Sequence, residues 1–118
     1  MTINKAAVVG GSSGIGLAVC CALVKRGCKV KVLGLHKPEG INCEYEYCDM
    51  RYPDIMQFES LAHDDSINAL FISSGIGRFA DFQHFSIPEI EKTLTIDTVS
   101  VLKLLRVFYD KLLMGGGA

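Results

Sequence analysis

A doubly wound α/β fold is predicted by three observations. Short continuous apolar runs, the pattern of strands covered on both faces, occur at residues 6–10 and 69–73. Stretches of helical periodicity alternate with strand-like segments, as expected for parallel strands joined by right-handed crossovers. At 118 residues, 49% of them hydrophobic, the chain can bury one core but not two. A single domain over residues 1–118 is therefore expected.

The first strand, residues 6–10, breaks at Gly10-Gly11-Ser12-Ser13-Gly14. Beyond the break Ile15, Ala18, Val19, Ala22 and Leu23 recur at the spacing of one helix face, as far as a basic last turn and the stop at Gly27. Lys29-Val30-Lys31-Val32-Leu33 predicts a second strand, its lysines indicating a partly open face. About ten residues separate it from the third strand at residues 44–48, near the minimum for a parallel crossover, so no full helix is expected between them. Residues 53–62 predict a helix with Pro53 near its first turn, and residues 69–73 a fourth buried strand. Residues 88–114 form the longest helical stretch, with a break expected near residues 95–98, where β-branched residues gather.

Composition excludes several classes of function. Twelve Lys and Arg against thirteen Asp and Glu give a formal charge of -1, which supplies no field for gathering nucleic acid or anionic lipid. No apolar run is long enough for a membrane span, and Met1-Thr2-Ile3-Asn4-Lys5 leads straight into a strand rather than a secretory signal. The five cysteines are odd in number and lack metal-site spacing, which fits small buried thiols in a reducing cytoplasm. His36, His63 and His84 fall in turns without an acidic or Cys partner at ligand spacing, so no metal site is expected. Asp64-Asp65-Ser66 reads as a polar turn before the fourth strand rather than a calcium loop.

Glycines at 10, 14 and 16 form Gly-x-x-x-Gly-x-Gly between a strand and a helix. The first permits a tight turn, the second lets a pyrophosphate approach the backbone, and the third lets helix and strand pack closely. Amides of the helix's first turn would face the anion, and the hydroxyls of Ser12 and Ser13 can add donors. Ser-Ser-Gly-Ile-Gly recurs at residues 73–77, but without helical periodicity after it, so the second copy is expected to open a loop.

On these residues the chain resembles the short-chain dehydrogenase/reductase family, whose fingerprint is Thr-Gly-x-x-x-Gly-x-Gly at this turn, with Val9 here at the Thr position. The resemblance covers essentially the whole chain. It implies a Rossmann-like sheet of strand order 3-2-1-4, with the cofactor at the carboxyl ends beside strands 1 and 4. It also implies an NAD(P)-dependent oxidoreductase that moves hydride between a nicotinamide cofactor and a carbonyl or alcohol substrate. The implied cofactor-binding residues are Gly10, Ser12, Ser13, Gly14, Ile15 and Gly16 at the pyrophosphate turn, and Asp49 with the Met50 backbone at the adenine. Asp49 has a second reading as the cap of the following helix. The family's Asn-Asn-Ala-Gly falls on Ile72-Ser73-Ser74-Gly75; both Asn are lost, yet Ser74, Gly75 and Ile76 keep the small-residue turn beside the cofactor ribose.

Eighteen residues on from Gly16, where a ribose-binding carboxylate would select NAD, stands Gly34, followed closely by His36 and Lys37. NADP is thereby favoured, with His36 as a candidate contact and NAD as the alternative. The family's Asn on the long fourth helix falls on Asp97, and none of the four tyrosines has a Lys four residues on. The family's catalytic Tyr-x-x-x-Lys and Ser would lie beyond residue 118, so no catalytic residue is assigned within this chain. The expectation is the N-terminal part of a longer reductase, inactive alone, its glycine run after the fourth helix standing where the family turns into a fifth strand. A non-catalytic nucleotide-binding or interaction module is the alternative. Finally, Lys103, Arg106 and Asp110 leave the rest of the last helix apolar, which predicts a homodimer through it, as the resemblance also implies.

Overall fold

A computed structural model describes residues 2–115; the glycine run beyond Gly115 lies outside the described residues. The elements are β1 (Lys5–Val9), α1 (Gly14–Lys25), β2 (Lys29–Gly34), β3 (Glu44–Tyr47), α2 (Ile55–Ala62), β4 (Ile67–Ile72), α3 (Ile87–Leu94), a π-helical segment (Thr95–Val99) and α4 (Ser100–Gly115), with one 3-10 turn at Phe82–His84. The four strands are parallel in the order β3-β2-β1-β4, as the family resemblance implies.

β1 is buried along its whole length, and the alternation of a strand sends its side chains into two cores. Ala7 and Val9 join Leu33, Phe58, Leu61, Leu104 and Phe108 on the face covered by α2 and α4. Ala6 and Val8 join Cys20, Leu23, Val30, Val32 and Ala69 on the face covered by α1. Residues 35–43 carry no helix, so the β2 to β3 crossover is a bare loop.

Three local expectations need correction. The buried face of α1 is Gly16, Cys20 and Leu23, whereas Ile15, Ala18 and Ala22 are exposed. Close seating of the helix at Gly16 turns its apolar stripe by about one position from the one read off the periodicity. Pro53 lies outside α2, whose cap is Asp54: its carboxylate accepts from the amides of Met56 at 3.0 Å and Gln57 at 3.3 Å. β4 begins at Ile67, earlier than the apolar run indicated, because Asp64 closes the preceding turn by accepting the Ser66 amide at 3.0 Å.

Asp64 also meets the buried Lys5 ammonium at 2.9 Å, and Glu44 at the start of β3 meets it at 2.6 Å. Lys5 thus clips the outer strand β3 and the turn before β4 to the central strand, at the end of the sheet opposite the glycine turn. α3 opens with a reciprocal capping box between Ser86 and Glu89 and carries Pro88 in its first turn. The break expected in the long helix is the π segment Thr95–Val99, after which the buried Ser100 hydroxyl donates to the Met50 carbonyl at 2.6 Å.

Candidate functional site

The carboxyl ends of β1, β2 and β4 meet around the first glycine turn. Gly10 has φ +82, its amide donates to the Leu33 carbonyl at 2.8 Å, and a Cβ on it would lie 2.5 Å from the Ser74 nitrogen. Only a residue without a side chain passes between the strand ends here. Gly14 has φ +54, and a Cβ on it would meet nothing within 4 Å, so the backbone at the start of α1 is open to an approaching group. Gly16 is the reverse case: a Cβ there would overlap the Gly10 carbonyl and the Ser73 hydroxyl. The first amides of a helix lack intrahelical partners and carry the positive end of its dipole, so this start is suited to an anion.

All the cofactor-binding candidates read from the sequence except Gly16 line one cleft of about 520 Å³. Gly16 is buried beneath it and sets the helix against the strand. Ser13, Gly14 and Ile15 are exposed at the mouth. The hydroxyl of Ser12 does not face a ligand as a free donor; it donates to the His36 carbonyl and ties the turn to the loop after β2. That loop leaves His36 and Lys37 exposed.

At the other side of the cleft Asp49 is held by a residue the sequence reading missed. Arg51 donates from Nε to both carboxylate oxygens at 3.0 Å and from Nη2 to Oδ2 at 2.6 Å, and its amide donates to Oδ1 at 3.0 Å. Hydrogen bonding from Arg51 keeps the Asp49 carboxyl below its ordinary range. Asp49 caps no helix, because Asp54 occupies that position. Leu35, Cys48, Lys92 and Ile96 also line the cleft and are not among the site candidates read from the sequence. The short Asp-x-Arg spacing was the one available signal for Arg51; Lys92 and Ile96 arrive from α3 and the π segment, and no local pattern announces them.

The second glycine turn forms the far wall. The Ser73 amide donates to the Val9 carbonyl at 2.9 Å and its hydroxyl to the Gly10 carbonyl at 3.2 Å, locking the two turns together. Asp97, on the π segment, accepts the Ile76 amide at 2.8 Å and so anchors this loop. The Ser74 hydroxyl is buried in the cleft wall without a hydrogen-bond partner among the described residues. An orphaned hydroxyl, an open anion-facing helix start and a wall of small residues fit a nucleotide with polar ribose edges. The hydroxyls of Tyr45 and Tyr47 donate to residues of the cleft wall, the Gly34 carbonyl at 2.9 Å and Asp49 at 3.5 Å.

A sequence profile of the family described as short chain dehydrogenase matches residues 4–118. No curated protein matches the sequence. Among solved structures, the bulky-bulky ketone specific alcohol dehydrogenase from Comamonas testosteroni superposes with a TM-score of 0.87 at 19% identity, covering 100% of this chain and 53% of that one. A short-chain dehydrogenase from Sphingobium yanoikuyae in complex with NADPH gives 0.85 at 20% identity, covering 98% and 51%. One from Leptospira borgpetersenii with bound NAD+ gives 0.82 at 17% identity, covering 99% and 49%. The chain therefore spans about half the length of these relatives.

Proposed function

The chain belongs to the short-chain dehydrogenase family, and from that premise we propose that it forms the dinucleotide-binding part of an NAD(P)-dependent oxidoreductase acting on a small carbonyl or alcohol. The observation that carries the reading is the open backbone at Gly14, at the start of α1, in a cleft whose walls hold Asp49, Met50, Ser74, Gly75 and Ile76. In this reading the amides of residues 14–16 hold the pyrophosphate, and the Asp49 side carries the adenine. The small-residue turn at Ser74 and Gly75 runs beside the ribose. When bound, the nicotinamide supplies or accepts the hydride. The chain's own part is to bind and orient it.

NADP is the preferred coenzyme in this proposal, because Gly34 offers no carboxylate to repel a 2′-phosphate and His36 and Lys37 stand exposed nearby. Calorimetric titration tests both points. NADPH is expected to bind more tightly than NADH, and Gly14→Val is expected to abolish binding of both; equal binding by wild type and variant would overturn the reading. The chain has no helix long and apolar enough to cross a membrane among its described residues, and a cytoplasmic setting is proposed. Leu102, Leu105, Tyr109 and Leu113 are exposed along α4, which supports a homodimer through that helix, checked by light scattering at micromolar concentration.

Asp97 at the family's Asn position also fits a second reading, as a non-catalytic nucleotide-binding module. Oxidation of NADPH with ketones and aldehydes separates the two. The 118-residue chain is expected to turn over nothing, and a longer product of the reading frame carrying Tyr-x-x-x-Lys is expected to be active if the oxidoreductase reading holds. Turnover by the short chain that disappears in Asp97→Ala would place the chemistry on Asp97 instead.

A further inference from the structure

We propose, resting on the dinucleotide reading above, that Ser12 is a coenzyme-determining residue: its hydroxyl fills the space that a ribose-reading side chain at position 34 would need. The backbone of Gly34 has no room to retreat. Its carbonyl accepts the Cys48 amide at 3.0 Å and the Tyr45 hydroxyl at 2.9 Å, and it sits in register opposite Tyr47 in β3. One residue earlier, the Leu33 carbonyl accepts the Gly10 amide at 2.8 Å. The end of β2 is therefore fastened from both neighbours, and any side chain added at 34 must find its room on the Ser12 side.

That room is blocked by one atom. A Cβ built on Gly34 overlaps the Ser12 hydroxyl oxygen, while the Ser12 Cβ lies 3.4 Å away and its nitrogen 3.8 Å away, both tolerable separations. The oxygen is not an idle rotor, because it donates to the His36 carbonyl. Turning it aside costs that bond and releases the loop that presents His36 and Lys37. Gly34 does not have positive φ, so its backbone imposes no demand for glycine; the steric demand comes from Ser12. A carboxylate introduced at 34 would thus meet an occupied position rather than an empty one. Switching this chain toward NADH takes two substitutions, one at 34 and one at 12.

A double-mutant cycle tests the inference on the 118-residue chain. Without ligand, Gly34→Ala is expected to lower the melting temperature by about 5 °C when Ser12 is present, and by much less in Ser12→Ala. With ligand, Gly34→Asp alone is expected to gain no affinity for NADH. The Ser12→Ala, Gly34→Asp pair is expected to shift the NADH to NADPH affinity ratio by at least about tenfold. Equal costs of Gly34→Ala in both backgrounds, or a full shift from Gly34→Asp alone, would overturn the proposal while NADPH binding by the wild type left the dinucleotide reading standing. Thermal coupling with neither dinucleotide bound by any variant or by wild type would overturn that reading and the coenzyme role with it, leaving only the packing of Ser12 on Gly34.

Discussion

The pentapeptide Ser-Ser-Gly-Ile-Gly occupies residues 12–16, two residues beyond β1, and residues 73–77, directly after β4, and the two copies fold differently. In the first, Ser13 is extended, Gly14 takes φ +54 and α1 begins. In the second, neither glycine has positive φ and no helix follows. The residues downstream account for the difference. Gly16 leads to Cys20 and Leu23, which are buried against the sheet, whereas Gly77 leads to Arg78, Phe79, Ala80 and Asp81, all exposed. A helix of this length is marginal unless an apolar face is buried, so only the first copy propagates. In the second, the Ile76 amide is taken by Asp97. The same five residues supply turn chemistry in both places, and the partner element decides what the turn becomes.

Substitutions at four positions probe that contrast, in falling order of effect. Gly16→Val places atoms on the Gly10 carbonyl and the Ser73 hydroxyl and should lower stability by about 3 kcal/mol in urea denaturation. Gly14→Ala keeps open space around the methyl but forces an alanine into the left-handed region, an expected loss of about 1 to 2 kcal/mol. Asp97→Ala leaves the Ile76 amide without its acceptor and should cost about 1 kcal/mol, most of which Asp97→Asn restores through its own carbonyl oxygen. Gly77→Ala should change stability by less than about 0.5 kcal/mol, since nothing lies near the added methyl and its φ is unexceptional. Equal losses at Gly16 and Gly77 would show that the two copies are under the same constraint and that the comparison is wrong.

Much of the architecture was legible because apolar runs and glycine stops report which stretches are covered and where they end. The strand order followed from the family resemblance, whereas the bare β2 to β3 loop and the break before Ser100 followed from local signals. Side-chain partners did not. Ser12 and His36 are far apart in the sequence, and nothing in either neighbourhood foretells that the hydroxyl turns from the cleft to the loop. The Asp54 cap was readable in principle, since Asp54-Ile55-Met56-Gln57 has the form of a capping signature. Gln57 nevertheless reaches away from the cap, donating to Glu46 and to the Tyr47 carbonyl, both at 2.8 Å. The face of α1 was misjudged because periodicity gives an apolar stripe several residues wide, and the contact at Gly16 chooses which edge of it meets the sheet.

The Lys5 clip has a consequence for acid and alkali. Bonds from Ser66 and Lys5 hold the Asp64 carboxyl below its ordinary value of 3.8. A depressed folded value means that its stabilising contribution is complete above the ordinary value and is lost only as pH falls through the lower one. Burial pulls the Lys5 ammonium down, yet its bonds to Glu44 and Asp64 outweigh that and raise it above 10.5, so its contribution is complete below 10.5 and fades only at still higher pH. Both edges lie far from neutrality. The bond between Lys5 and Asp64 is therefore insulated from ordinary changes of proton concentration, and only strong acid would loosen the turn before β4 from the central strand, at the end of the sheet opposite the glycine turn.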